Sequence, residues 1–399
     1  MFKRVLILSA SAGAGHIRAA QAIEKAFVQL GAAEELRNVD TLEYTSKLFH
    51  DLYSKAYIKI ASKVPEAYGW LYDHFDRPWH NDRLRRAFER LNTRPFVKML
   101  KEYQPDMTVC TYYLPAQIIS WLNEKHRIHT RQAIVVTDLD IHAMWLCGLY
   151  EHYFVALEET KAHLEEIGIP ADKVTVSGIP IDPVFIETKE KTAVRLQYGL
   201  NPALTTILIS AGGFGMGPVE ELMQSLVKMH NRVQVIAICG RNKELLKRLD
   251  KFNRALPASC PVSFKVFGYT TEMDAYMSAA DVVVGKPGGL TASEALAKGL
   301  AFVIINPIQG QEERNADHLL EEGVAIRCNN LPVLAYKLDR LIDDPKRLTM
   351  MQVNAKRLGK PHAAFDIVKK LMALKEHTSP LGNASENQSI DRHTPISTR

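Results

Sequence analysis

A histidine in a glycine-rich turn near the start of the chain is the first candidate for acid–base chemistry. Residues 9–20 read SASAGAGHIRAA and follow the apolar run RVLIL, a pattern that predicts a strand, a turn and a helix. The turn lacks the lysine of a phosphate loop, and Arg18 stands at the third glycine of the dinucleotide-binding fingerprint. A helix N-terminus favours the neutral imidazole, so His16 is a candidate general base. A capping or packing role is the alternative.

A second glycine turn favours phosphate and sugar binding. Residues 285–299 read GKPGGLTASEALAKG, and they predict a strand end followed by a helix that begins near Thr291. Free backbone N–H groups at Gly288 and Gly289 suit a phosphate, and Glu294 is placed to accept hydrogen bonds from sugar hydroxyls. Thr291 and Glu294 also have the spacing of a capping box, so helix capping alone is the alternative.

Two further stretches after predicted strands favour a ligand rich in hydroxyl and phosphate groups. Residues 211–218, AGGFGMGP, contain Gly212 and Gly213 and predict Pro218 at the first position of a helix, although a plain glycine turn is the alternative. Residues 306–319 concentrate amide and carboxylate side chains, which suit a polyhydroxylated ligand: Gln309, Gln311, Glu312, Glu313 and Asn315.

A third polar cluster follows a predicted strand at residues 135–146, VVTDLDIHAMWL. It contains Asp138, Asp140 and His142. These residue types can bind a metal, but the stretch lacks a clear third and fourth ligand. We therefore predict no metal here, and expect the cluster to orient a catalytic group or line an acceptor site.

The elements that must position these residues alternate between strands and helices in two runs. The pattern predicts strands at 4–8, 107–110, 132–137, 152–156 and 174–177, and helices near 16–30, 45–62, 82–102, 115–125 and 158–167. The proline-rich stretch 177–185 interrupts it, and the alternation resumes at residue 205. This pattern predicts an α/β fold with two doubly wound parallel sheets facing each other across a cleft. Residues 378–399 are polar and predicted to be disordered.

Charge is concentrated in one segment of the chain. Residues 53–103 contain eleven Lys/Arg and six Asp/Glu, an excess of +5 that equals the net charge of the whole chain. Basic side chains interleaved with tryptophan and tyrosine suit an anionic membrane surface. RNA and an ordinary solvated helix face are the alternatives. The candidate membrane contacts in this segment are Trp70, Trp79, Arg83, Arg85 and Arg86.

Composition predicts the compartment. Apolar residues make up 46% of the chain, but the apolar runs are only strand-length, so we expect neither a signal peptide nor a membrane-spanning helix. The five cysteines form no CxxC pair, which favours a reducing compartment and disfavours disulfides and zinc. A cytoplasmic protein is expected.

Taken together, the motifs resemble a known family. GAGHIRAA, VVTDLDIHAMW, SGIPIDPVF, GKPGGLTASEALAKG and IQGQEERNA occur in the order found in the monogalactosyldiacylglycerol synthase and processive diacylglycerol glucosyltransferase group. This group is related to the enzyme that adds N-acetylglucosamine to lipid I. The resemblance covers residues 3–375. It implies a GT-B fold with an acceptor domain at 1–180, a UDP-sugar domain at 181–360, and a final helix, 361–375, that returns to the acceptor domain.

The resemblance also implies roles for individual residues. His16 is the expected general base and Glu294 the ribose ligand, while Asp138 and His142 match a pattern of the acceptor domain. Gln311 and Glu312 are expected to contact the donor sugar. The remaining implied donor-binding residues are Gly212, Gly213, Lys286, Gly288, Gly289, Thr291 and Asn315, and Gly15 and Trp145 are assigned to the acceptor side.

The implied reaction is an inverting transfer of a hexose from UDP-glucose or UDP-galactose to diacylglycerol. It implies no cofactor and no metal, and the expected partners are diacylglycerol and anionic membrane lipids rather than nucleic acid. The protein is expected to bind the inner face of the cell membrane peripherally. The alternatives are the same chemistry on another lipid acceptor and a UDP-sugar epimerase of the same fold.

Overall fold

A computed structural model describes residues 1–46, 49, 72, 74, 76, 78, 93–210 and 218–377. Several predicted features lie outside these described residues. They are Trp70, Trp79, Arg83, Arg85, Arg86, Gly212, Gly213 and the tail 378–399.

The first domain is built on a six-stranded parallel sheet with the order β2-β1-β3-β4-β5-β6. Its strands are β1 (Phe2–Ser9), β2 (Ala33–Asp40), β3 (Met107–Cys110), β4 (Arg131–Val135), β5 (His152–Val155) and β6 (Val174–Val176). Its described helices are α1 (Ala14–Gln29), α2 (Arg94–Tyr103), α3 (Tyr113–Glu124) and α4 (Glu158–Glu166).

The second domain repeats the architecture with the strand order β12-β11-β10-β7-β8-β9. Its strands are β7 (Thr205–Ser210), β8 (Val233–Ile238), β9 (Val262–Phe267), β10 (Val282–Gly285), β11 (Ala301–Ile305) and β12 (Ala325–Cys328). Its described helices are α5 (Lys191–Gln197), α6 (Val219–Leu226), α7 (Lys243–Arg254), α8 (Met273–Ala279), α9 (Gly289–Lys298), α10 (Gln311–Glu321), α11 (Leu334–Ile342) and α12 (Pro345–Leu358). The predicted α/β class with two parallel sheets is confirmed.

Strand β1 shows why the apolar runs become central strands. Its middle residues are fully buried and alternate between two cores, with Leu6 and Leu8 on one face and Val5 and Ile7 on the other. Each such side chain contributes about 1.5–3 kcal/mol when it leaves water. A strand buried on both faces therefore has to be apolar throughout.

Strand β2 is absent from the sequence prediction. Its sequence, AEELRNVD, has no apolar run because it pairs only with β1 at the edge of the sheet and most of its side chains are partly exposed. The strand is specified by its parallel pairing with β1, from Phe2 opposite Ala33 to Ser9 opposite Asp40. The hydrophobic pattern of residues 33–40 alone does not predict that pairing.

The last described helix, α13 (Ala363–His377), packs on the first domain. Ala364, Ile367, Val368 and Leu371 are buried in the same core as Ile23 of α1. Their spacing of three and four residues places them on one helix face. The chain therefore returns to its first domain after building the second.

A largely buried ion pair in the second domain gives a stability prediction. Arg195 is nearly buried and donates to Asp281 (2.5 Å) and to the carbonyl of Ala279, while Thr206 N donates to the same carboxylate (2.7 Å). Asp281→Ala leaves this guanidinium buried without its counter-ion, so we expect the free energy of unfolding to fall by about 3 kcal/mol in urea denaturation. Glu322→Gln, which removes an exposed pair with Arg357, should cost below about 1 kcal/mol. Equal losses would contradict the expected importance of burial.

All five cysteines are free thiols, and four of them are buried. Among the residues that the structure describes, no helix combines the length and the apolar character needed to cross a membrane.

Candidate active site

A pocket lies where the carboxyl ends of the two sheets face each other. The first domain supplies most of the walls from the loops after β1, β3 and β4, and the second domain contributes Gln311 at the start of α10. The lining residues are Ala12, His16, Tyr72, Tyr112, Tyr113, Asp138, His142, Met144, Trp145 and Gln311. Parallel α/β sheets bind ligands at this end of their strands.

His16 lies in the first turn of α1, where the sequence pattern predicts it. Its Nδ1 is 3.1 Å from the carbonyl oxygen of Thr111 and 2.8 Å from Thr137 Oγ1. A carbonyl can only accept, so Nδ1 carries the proton and donates it. In the neutral ring the lone pair then belongs to Nε2, which is the atom a general base needs.

The environment of His16 keeps the imidazole neutral. Burial lowers its pKa to about 4, and the hydrogen bond to Thr111 opposes this shift only in part. The helix N-terminus, which motivated the sequence prediction, acts in the same direction. Nε2 therefore carries no proton at neutral pH.

This geometry predicts that the His16 ring stays neutral, with its proton on Nδ1, from about pH 8 down to about pH 5. The lowered pKa means that the charged form becomes populated only below that range. The measurement is a pH titration of ring ¹⁵N shifts by NMR, with the His16 resonance assigned from its loss in His16→Ala. A midpoint near the ordinary value of about 6.5 would contradict the burial argument.

Asp138 connects the two domains. Its buried carboxylate accepts from Gln311 Nε2 (2.6 Å), and Asn315 Nδ2 lies 3.4 Å from the same oxygen. Asn315 Oδ1 also accepts from the backbone N–H of Leu139 (2.9 Å). Burial raises the pKa of Asp138 to about 6, while the two amide contacts lower it. Two side chains assigned to the donor therefore hold the acceptor-domain loop in this structure.

His142 has the opposite tautomer to His16. Its Nδ1 accepts from the backbone N–H of Met144 (3.1 Å), so Nε2 donates to the carbonyl oxygen of Tyr72 (2.9 Å). Both ring nitrogens are thus hydrogen-bonded to backbone groups, and His142 shapes the loop that ends in the 3₁₀ turn Ala143–Trp145. Trp145 is buried and lines the pocket.

Arg314 is a second connection that sequence analysis missed. Its guanidinium pairs with Asp76 (2.6 Å) and Asp140 (3.3 Å) and lies over the ring of Tyr72. Asp76 in turn accepts from the backbone N–H of Ala143 (2.7 Å). The available signal was its position, one turn into the helix that begins at Gln311. Its partners are far away in sequence.

The start of α9 differs from the sequence prediction. The helix begins at Gly289, with Gly288 as N-cap, so Thr291 is its third residue and no Thr291–Glu294 capping box forms. The turn fits tightly against the first domain, since a Cβ on Gly289 would lie 2.2 Å from the carbonyl oxygen of Thr137. Glycine at 289 is thus required by the contact between domains, a reason that spacing alone did not give.

The neighbouring loops add smaller corrections. Pro218 is the N-cap of α6 and not its first residue. Glu312 accepts from the backbone N–H of Ile308 (2.7 Å); burial raises its pKa, and the nearby positive charge of Lys286 lowers it. A Cβ on Gly15 would lie 3.9 Å from Leu290 Cβ, so the two predicted glycine turns face each other.

Glu294 is buried within α9 and forms an ion pair with Arg18 of α1. Burial raises the pKa of Glu294 to about 7, while Arg18 lowers it. Arg18, identified in the sequence only as a departure from a dinucleotide-binding pattern, therefore meets the predicted ribose ligand across the domain boundary.

Among the described residues, one group of three side chains has its potential ligand atoms close enough together to bind a metal ion. Glu159, His318 and Glu321 lie close enough to share an ion, with His318 partly buried and the two glutamates exposed. His318 Nδ1 is 3.2 Å from Glu159 Oε2. None of the three lines the pocket. Asp138, Asp140 and His142 instead hold protein groups.

Comparison with known proteins identifies the family. The model of the monogalactosyldiacylglycerol synthase family matches residues 16–181, and that of glycosyl transferases group 1 matches residues 218–358. A processive diacylglycerol beta-glucosyltransferase of Bacillus subtilis is 30% identical over 375 residues, 93% of this chain and 95% of the relative. The chain belongs to the monogalactosyldiacylglycerol synthase family of glycosyltransferases. A similarly named protein of Staphylococcus saprophyticus is 29% identical over 389 residues, 94% of each chain.

Solved structures support the fold of this glycosyltransferase. MurG of Acinetobacter baumannii superposes with a TM-score of 0.63 at 17% identity, covering 93% of this chain and 99% of MurG. The UDP complex of MnaA from S. aureus gives 0.60 at 14% identity, covering 95% and 100%. The two facing domains are those of a GT-B fold, as the sequence motifs implied.

Proposed function

We propose that this glycosyltransferase moves a hexose from UDP-glucose or UDP-galactose to diacylglycerol, with inversion, and forms a β-glycosyl diacylglycerol. One observation carries the proposal: a pocket between two facing domains contains a neutral histidine whose Nδ1 proton is fixed by backbone. Relatives that match over most of the chain are named processive diacylglycerol beta-glucosyltransferases, which supports this acceptor.

The chemical step needs one base and one stabilised leaving group. In our proposal the acceptor hydroxyl gives its proton to His16 Nε2 as its oxygen bonds to C1 of the hexose. The bond from C1 to the phosphate oxygen breaks, and UDP leaves with the electron pair. Backbone N–H groups at Gly288 and Gly289, together with Lys286, are suited to stabilise the charge on the diphosphate. The predicted contribution of Gly212 and Gly213 lies outside the described residues.

The donor side is assigned from the second domain. Glu294 is proposed to accept from the ribose hydroxyls, with Thr291 nearby on the same helix. Gln311, Glu312 and Asn315 are proposed to contact the hexose. Because Gln311 donates to Asp138 in this structure, sugar binding and the contact between domains would compete for the same amide.

The acceptor side is assigned from the first domain. Asp138, His142 and Trp145 line the pocket that contains His16. Gly15 directly precedes His16 in α1, and Asp138 is proposed to orient the reacting groups. The basic, aromatic segment 53–103 is proposed to dock on anionic lipids at the inner face of the cell membrane, so that diacylglycerol stays in the bilayer during transfer.

The test incubates purified protein with vesicles that contain diacylglycerol and either UDP-glucose or UDP-galactose, followed by mass spectrometry of the lipids. A hexosyl diacylglycerol with a β linkage by NMR is the expected product. Parallel vesicles with a polyprenyl phosphate or a glycolipid test other acceptors, and a lipid-free reaction with UDP-N-acetylglucosamine tests epimerase activity. Product only in one of these parallel reactions would overturn the proposal.

A further inference from the structure

The pair between Arg18 and Glu294 joins the two domains beside the candidate donor site. Arg18 follows His16 by two residues in α1, and Glu294 lies on the second turn of α9, the helix that begins at the glycine turn. The Arg18 side chain is 42% exposed, whereas that of Glu294 is 2% exposed. A partly exposed arginine therefore contacts a carboxylate that water barely touches.

We propose that Arg18 is a positioning residue for the UDP-hexose: it holds one oxygen of the Glu294 carboxylate, so that the other oxygen is oriented to accept from the ribose. This inference rests on the donor-binding role proposed above for Glu294. It adds a first-domain residue to a site otherwise assigned to the second domain, and it ties ribose binding to the approach of the two domains.

The surroundings of Glu294 explain why the carboxylate needs a cation. Asp182, at the start of the 3₁₀ turn Pro183–Ile186, and Asp274 of α8 both disfavour its ionised form. Lys25 of α1 pairs with Asp182 (2.5 Å), and Lys189 pairs with Asp274.

Helix α12 also packs against α9. It places Lys356 beside Gly299 at the opposite end of α9. Arg18 is thus the cation that contacts Glu294 directly among the described residues.

An ionised carboxylate matters because ribose hydroxyls are donors. A charged acceptor makes hydrogen bonds roughly twice as strong as a neutral one, and a protonated carboxyl offers fewer acceptor sites. Without Arg18, burial and the two aspartates act unopposed, so the carboxyl takes up a proton at neutral pH. Because the ionised carboxylate is the better acceptor, donor affinity should increase as the pH rises through the pKa of Glu294. Removing Arg18 should raise that pKa and so shift the midpoint of the affinity curve to higher pH.

The experiment measures UDP-glucose affinity by calorimetry from about pH 6 to about pH 8.5, where the diphosphate diester keeps a constant charge. Arg18→Gln is expected to bind about fivefold more weakly than the unaltered protein near pH 7 and to recover toward high pH. Arg18→Lys, which keeps the charge, should restore most of the affinity. Arg248→Gln removes an exposed ion pair with Glu220 elsewhere in the second domain, and should leave the midpoint in place.

Two results separate this inference from the proposed function. Glu294→Gln should bind UDP-glucose weakly at every pH in the range; unchanged affinity would remove Glu294 from the donor site. In the Glu294→Gln background, adding Arg18→Gln should have no further effect, and this double variant buries no unpaired carboxylate. An extra loss there, or an unshifted midpoint in Arg18→Gln alone, would overturn the positioning role while the donor role of Glu294 stands.

Discussion

His16→Ala is expected to lower the turnover number for hexose transfer by about 10²–10⁴-fold, while UDP-hexose affinity stays unchanged. The reason is that the acceptor hydroxyl loses the atom that takes its proton, whereas the donor contacts proposed here come from other side chains. Single-turnover transfer to diacylglycerol vesicles measures the chemical step, and calorimetry with UDP-hexose measures binding.

A matched variant separates the base from its support. Thr137→Val removes the hydroxyl 2.8 Å from His16 Nδ1 and leaves the Thr111 carbonyl in place, so the ring keeps its tautomer. We expect a loss of about fivefold, which corresponds to about 1 kcal/mol for one hydrogen bond. Near-normal turnover in His16→Ala would assign the base role to another group. A loss of donor affinity of similar size would show that His16 mainly holds the fold of the cleft.

Gly289→Ala is expected to reduce transfer by at least about 10²-fold, because the added Cβ would lie 2.2 Å from the carbonyl oxygen of Thr137 and 3.2 Å from Asp138 Cα. Both atoms belong to backbone next to the pocket, so a side-chain rotation cannot relieve the overlap. One of the two backbone segments must therefore shift, and we expect this to displace Gln311 from Asp138 and to misalign donor and acceptor. Single-turnover transfer measures the loss, and urea denaturation checks that the variant stays folded.

Gly285→Ala is the control for this prediction. It lies at the end of β10, four residues earlier, and its Cβ would meet nothing within 4 Å. We expect transfer within about twofold of the unaltered protein. If Gly289→Ala retained the same activity, the close approach of the two domains would be unnecessary for catalysis.

The fold was largely predictable because its central strands are buried on both faces. Runs such as ILIS in β7 and VVVG in β10 are apolar for a reason local to the strand, so periodicity finds them. Strand β2 escaped because its partner, β1, and not its own composition, makes it a strand. The predicted start of α9, near Thr291, lies two residues after the observed start at Gly289, because a glycine turn and a capping pattern occur in the same stretch of sequence.

The candidate site was predictable in its parts and not in its connections. His16, Asp138 and Gln311 follow strand ends, where parallel sheets expose side chains, so position alone selects them. The contacts Arg18–Glu294 and Arg314–Asp76 join residues 276 and 238 positions apart (294 − 18 and 314 − 76). A single sequence does not reveal contacts between residues that are so far apart in the chain. Gln311 was assigned to the sugar for its amide, while the structure shows that amide on Asp138.

The chain crosses between its two domains twice, and the two crossing segments are in contact at Gly178 and Lys360. Gly178 has φ +84° and lies so close to the second crossing segment that a Cβ on residue 178 would be 2.4 Å from Lys360 Cβ. The second domain is therefore an insertion whose entry and exit are neighbours in space, and closing it into a loop costs the first domain little entropy. Residues 182–359 could be excised and the ends rejoined by a short linker without taking α13 from its core.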